Sequence, residues 1–201
     1  LDCLEQALAI ARRTGNRTGE QTALTGLGYI HRVQGRHEPA LDCYEQALAI
    51  ARHIGNRTGE QHVLTALGWV HYLQGRYGPA LDCLEQALAI ARQIGDRNYQ
   101  FEAHQGLGRI NHAIGHHDKA LDHHDTALAL ADDLDQPQDQ ARAHDGLAHT
   151  HHTLGNTNRA RRHWHTALRL LTTFHSHTTD EPDLTTTTIR THLSALDSLR
   201  N

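Results

Sequence analysis

Apolar residues recur along this chain at helical rather than strand spacing. Between Thr18 and Gln34 they fall at Leu24, Leu27, Ile30 and Val33, one stripe of an α-helix. Gly35 follows as a stop of the left-handed type. A partner helix is expected from about Glu38 to Ile54, ending at Gly55, with Asn56 placed to cap the next helix. The same pair returns from about Thr58 to Gly95, from Arg97 to about Leu134 and from Pro137 to about Phe174, and Pro137 suits a first helical turn. Residues 1–15 read as the second helix of an incomplete pair. No stretch alternates with the period of a strand, so the expected class is all-α.

The pairs are copies of one another. Leu-Asp-Cys-Leu-Glu-Gln-Ala-Leu-Ala-Ile-Ala-Arg begins at Leu1, returns unchanged at Leu81, and returns at Leu41 with the single change to Tyr44. A second motif keeps the same forty-residue register: Leu24-x-x-Leu27-Gly28, Leu64-x-x-Leu67-Gly68, His104-x-x-Leu107-Gly108 and His144-x-x-Leu147-Ala148. Self-similarity at that period predicts an α-solenoid of right-handed superhelical form, because each unit can bury its apolar face only against its neighbours. The units are residues 16–55, 56–95, 96–135 and 136–175. Residues 176–201 read as a polar linker and a capping helix. The polar stretch is His175 to Asp183; in the helix, Leu184 to Leu199, Ile189, Leu193 and Leu196 share a stripe, and the poor helix formers Thr185 to Thr188 delay its start. Gly28, Gly68, Gly108 and Ala148 are expected where a second helix crosses closely, opposite Ala40, Ala80, Ala120 and Ala160 and Ala47, Ala87, Ala127 and Ala167.

These residues resemble the tetratricopeptide repeats. The pattern of that family is matched by Leu24, Leu27, Gly28, Gly35, Ala40, Tyr44 and Ala47, and by their counterparts through Trp164 and Ala167, over about residues 1–175. The forty-residue period, against the usual 34, is similar to the longer-helix form of Pins-like spindle-orientation adaptors and many actinobacterial regulators. The phrase Ala-Arg-x-x-Gly-Asn/Asp-Arg-x-Gly-Glu and the ending Arg162-His163-Trp164-His165-x-Ala167-Leu168 resemble the carboxy-terminal repeats of Streptomyces antibiotic regulatory proteins and ATPase-linked regulators. That narrower resemblance implies a fragment of a larger bacterial transcriptional regulator.

Composition narrows the function. Aromatic residues are 4% of the 201 and methionine is absent, so Ala and Leu supply the packing. The net charge of −4, with arginines interspersed among acids, offers no basic stripe, and no direct nucleic-acid contact is expected. No apolar run reaches the roughly 20 residues of a membrane span and no secretory leader opens the chain, so a soluble, cytoplasmic protein with no membrane contact is expected. Cys3, Cys43 and Cys83 share one slot of successive repeats, too far apart for a disulfide, and are expected to be reduced, small core residues.

In such a stack the first helices line the concave face. Helical spacing selects Thr22, Thr25, Tyr29 and Arg32 from the first complete unit, then His62, Thr65, Trp69 and Tyr72, then Glu102, Gln105, Arg109 and His112, and finally Arg142, Asp145, His149 and His152. Leaving out Thr22, Thr25, Glu102 and Arg142, this strip is the expected partner-binding face. Its aromatics and arginines are the residue types enriched at binding hot spots. Trp69 faces that strip, whereas Trp164 falls in the aromatic slot of a second helix and is expected in the core.

The 20 histidines fall mostly after residue 100. Adjacent pairs such as His116-His117, His123-His124 and His151-His152 point apart on a helix. His112 with His116 and His149 with His152 are spaced as two-ligand half-sites without the Glu of a His-Glu-x-x-His site, so no metal is assigned. A response to acid through mutual repulsion of these histidines is expected instead. No catalytic constellation and no cofactor motif emerge. The reading is a non-enzymatic scaffold that binds a protein or peptide segment along the concave face. The alternatives are a sensor or oligomerisation module of a bacterial regulator, or an array without a dedicated ligand. The apolar stripe Leu1, Leu4, Leu8 and Ala11 suggests a homodimer through the first helix.

Overall fold

The computed structural model describes residues 2–173 and 184–198. Its helices are α1 (Asp2–Thr14), α2 (Arg17–Val33), α3 (His37–His53), α4 (Arg57–Leu73), α5 (Tyr77–Ile94), α6 (Arg97–Ala113), α7 (His117–Asp133), α8 (Pro137–Thr153), α9 (Thr157–Thr173) and α10 (Thr186–Ser198). No strand occurs among the described residues. The expected linker from His175 to Asp183 lies outside them, as do Leu1 and Leu199.

Every connection from α1 through α9 turns on one residue with positive φ. Gly15, Gly35, Gly55, Gly75, Gly95, Gly115 and Gly155 have φ between 68° and 82°, and Asp135 takes the same role at 50°. These positions are spaced by twenty residues, so the turn inside a pair and the turn between pairs are built alike. Glycine adopts this conformation without the Cβ penalty that an L-residue meets.

Capping at the start of the first three pairs also repeats. The side-chain oxygens of Asn16, Asn56 and Asp96 accept from the backbone N–H groups of Gly19, Gly59 and Tyr99 at 2.9, 3.0 and 3.2 Å. The caps are then tied backward: Asn56 donates to Gln21 at 2.8 Å, and Gln61 donates to Asp96 at 2.8 Å. One side chain thus starts a helix and joins it to the preceding pair.

The helices form two compact units, residues 1–106 and 107–201, with α6 spanning the division. In the first unit α1 to α5 pack each on the next, and Leu24, Leu41, Tyr44, Val63, Leu67 and Val70 form a shared core with Ala40 and Ala47. Gly28 lets α3 approach: a Cβ there would sit 2.7 Å from the Tyr44 ring, which is buried. On α1 the pattern thins out. Cys3 and Ala7 are exposed, whereas Ala47 and Ala87 are buried and Cys43 and Cys83 half-buried. All three cysteines are free thiols, but none lies fully in the core as expected, and burial pushes the Cys83 thiol up to about 11.

Polar residues hold the first unit as well. Glu20 is buried and receives Arg12 at 3.0 Å and Arg17 at 2.8 Å; Glu60, forty residues on, receives Arg52 at 2.9 Å together with Arg57. The same Arg12 and Arg52 reach on to Gln46 and Gln86 at 3.1 and 3.0 Å. Buried carboxylates need such partners, since an unpaired charge away from water is costly. The Arg12 hydrogen bond, aided by Arg17, outweighs burial and holds the Glu20 carboxyl below its ordinary value.

In the second unit α7, α8 and α9 pack in sequence and α10 covers α9. Trp164, Leu170 and Leu171 of α9 share a core with Leu184, Ile189, Leu193 and Leu196. Trp164 is buried, as its slot predicts. The slot that holds Leu84 in the first unit here holds His124, which is buried between Gly108 and Gly146; a Cβ on either glycine would lie 2.6 or 2.4 Å from its ring.

Candidate functional site

The first unit presents an aromatic and aliphatic surface on α2 and α4. Tyr29 is 56% exposed, Val33 63% and Leu73 52%, while Trp69 and Tyr72 are half-buried. Trp69 meets Tyr72 edge-on at 5.8 Å between ring centroids, and Tyr72 leans on Tyr77 of α5 at 6.1 Å. Arg32 lies over the Tyr29 ring at 5.2 Å and close to buried Tyr44, whose phenol burial pushes up against the opposing pull of the Arg32 charge. An aromatic ring and a phenol flank the guanidinium, and neither supplies a carboxylate to pair with it. His62 is exposed on α4 and packs against Tyr99 at 5.7 Å.

Two expected contact residues lie elsewhere. Thr65 is only 7% exposed, its hydroxyl donating to the Gln61 carbonyl at 2.9 Å, and Gln105 is 2% exposed. Polar residues of this kind are satisfied inside the stack, which hydropathy does not reveal. Conversely Val33, the last residue of the apolar stripe on α2, is on the surface, and Leu73 stands at the same slot of the next pair. The available signal was spacing: both follow Tyr29 and Trp69 by four residues, on one helical face. Tyr77 and Tyr99 belong to neighbouring helices and gave no such signal.

In the second unit the expected residues engage one another. Asp145 accepts from the Trp164 indole N–H at 2.9 Å and lies 3.5 Å from His149 Nε2. His149 packs edge-on to Trp164 at 5.3 Å and to His192 at 4.8 Å, and His152 lies 5.7 Å from Trp164. His112 stands against His117 at 5.4 Å rather than forming a half-site with His116. Burial first, then the cation Arg109, holds His149 below the ordinary imidazole range. On the other side of α8, His144 and His163 bring their Nδ1 atoms within 3.0 Å, and His151 stacks on His163 at 5.6 Å. Burial, then the neighbouring His144, pushes His163 down to about 4. Among the described residues no three histidines, cysteines or carboxylates converge to hold a metal ion. No described helix is long and apolar enough to cross a membrane.

The tetratricopeptide repeat pattern matches residues 1–53, 20–93 and 63–133. The chain belongs to the tetratricopeptide repeat family. Its repeats superpose on solved structures that share little sequence with it. BtubC (BKLC) from P. vanneervenii has a TM-score of 0.84 at 18% identity, over 99% of this chain and 82% of that one. A Rap protein complexed with competence and sporulation factor gives 0.70 at 21%, over 76% of this chain and 43% of that one. The signal transduction ATPase with numerous domains PH0952 from Pyrococcus horikoshii, described as having a tetratricopeptide repeat sensor, gives 0.69 at 16%, over 91% of this chain and 26% of that one. At these identities the likeness is one of fold, an all-α solenoid of tetratricopeptide repeats. No curated protein matches the sequence.

Proposed function

We propose that this tetratricopeptide repeat chain is a non-enzymatic scaffold that binds a segment of a partner protein across α2 and α4. The observation that carries this reading is the exposed run Tyr29, Val33 and Leu73, continued by half-buried Trp69, beside Arg32. Covering a Tyr or Trp removes roughly 150–250 Å² from water, worth a few kcal/mol at about 25 cal/mol per Å². The fitting partner is a short segment with aliphatic or aromatic anchors and a carboxylate for Arg32. The helices already hold their side chains in place, so most of the ordering cost falls on the partner.

Selection from a displayed library of random peptides of about twelve residues tests the reading. Enriched peptides should combine apolar anchors with Asp or Glu. Tyr29→Ala with Trp69→Ala should weaken the best of them at least roughly tenfold, about 1.4 kcal/mol, with helicity unchanged. Equal affinity for the double variant overturns it.

A second reading is a sensor module of a larger bacterial regulator, with this same face taking the signal. It is supported by the fold likeness to a repeat sensor in PH0952 and to a Rap protein complexed with competence and sporulation factor. Enrichment of one peptide sequence rather than a chemical class favours it.

A further inference from the structure

α10 sits against α9 where other second helices receive a small residue. Gly26 meets Leu4, Gly106 meets Leu84, and Gly146 meets His124. At α9 the indole of Trp164 meets an imidazole: His192 of α10 stacks on it at 4.9 Å, the planes 12° apart. His149 of α8 closes the cluster, edge-on to both rings. The last helix is therefore docked partly through two imidazoles that touch each other.

We infer that α10 is a proton-released cap, and that charging His149 and His192 lifts it from α9 and uncovers Trp164 while α7, α8 and α9 stay folded. The groups facing this pair are mostly basic. α6 contributes Arg109, toward His149 and His124, and His112; α7 contributes His124; α8 contributes Asp145 and His152. Between α9 and α10 an ion pair joins Arg161 to Asp197 at 2.8 Å, with Asp197 largely exposed. Asp145 is the one carboxylate in that set beside the two rings, and it already accepts the indole N–H. Two imidazolium ions in contact, with Arg109 nearby, exceed what a single carboxylate offsets.

Burial, and for His192 the neighbouring His149, hold both rings below the ordinary imidazole value of 6.5. A lowered imidazole pKa in the docked state means that the undocked state binds more protons, so docking weakens as pH falls through about 6.5. α10 has 13 residues, with three threonines in its first turn. Helices of that length are marginal alone in water, so a released α10 does not persist as a helix.

Hydrogen exchange on the full chain tests the inference. Between about pH 7.5 and 5.5, protection factors across α10, corrected for intrinsic exchange, should fall at least roughly tenfold more than those of α8 and α9. His192→Phe keeps a ring on Trp164 but takes no proton, and should abolish most of that difference while α10 stays protected at the higher pH. If that variant loosens α10 already at pH 7.5, His149→Phe serves in its place. Constant α10 protection down to pH 5.5, or loss in α7 to α9 in step with α10, overturns the inference, as does a full acid response in the substituted chain.

Discussion

At the scale of single residues, the eight left-handed turns offer a direct comparison, because seven are glycine and one is Asp135. An L-residue in this conformation carries a Cβ penalty of about 1 kcal/mol, somewhat less for Asp. Asp135→Gly should therefore stabilise the second unit by roughly 0.5–1 kcal/mol, read as a higher urea midpoint at unchanged slope. A lower midpoint would show that the Asp135 carboxylate makes a compensating interaction. Six of the seven glycines, Gly15 through Gly115, keep a strict twenty-residue step, and their role was legible from position alone. The Glu20 and Glu60 clamps were not. The motif Arg-x-x-Gly-Asn-Arg-x-Gly-Glu was visible as a repeated phrase, but only the crossing of α1 with α2, and of α3 with α4, shows that its two arginines converge on one buried carboxylate.

Between helices, distance is set by what the small positions admit. Gly146→Ala would place a Cβ 2.4 Å from the buried His124 ring, with Gly108 closing the other side at 2.6 Å. Overpacking should outweigh the gain in helix propensity, for a net loss of about 1–3 kcal/mol. Gly78 near the start of α5 faces open space, so Gly78→Ala should instead gain roughly 0.5–1 kcal/mol. Thermal denaturation of the two variants side by side checks both signs. Helix existence and pairing were readable because hydrophobic spacing and punctuation agree at every repeat. Side-chain placement was less so: Thr65 and Gln105 are polar yet buried, and the stacking of His192 on Trp164 joins residues of unrelated motifs through packing alone.

For the molecule as a whole, titration separates the two units. Among imidazoles at least partly buried, His31 and His71 are held low in the first unit, against His112, His124, His144, His149, His151, His163 and His192 in the second, with burial the leading cause throughout. Each lowered histidine favours the folded state above about pH 6.5, where both states are neutral. That contribution is lost as pH falls toward the folded value, about 4 for His163. Glu20 works in a lower window: its depressed carboxyl stabilises the first unit above the unfolded value near 4.5 and is lost below it. Exchange followed by mass spectrometry below about pH 5.5 should show residues 107–173 losing protection before residues 2–106. Simultaneous loss in both would contradict this assignment of the charges.

The uniform turn has an implication for how such a chain changes length. Since each junction uses the same left-handed hinge at the same interval, and residues 41–52 and 81–92 differ at one position, duplication of residues 41–80 repeats the existing turns and makes one new contact, Tyr44 against Gly68 where Leu84 now packs. A gene of this kind can gain or shed a forty-codon cassette by unequal recombination, and the surface it displays lengthens or shortens in steps of one pair rather than being redesigned.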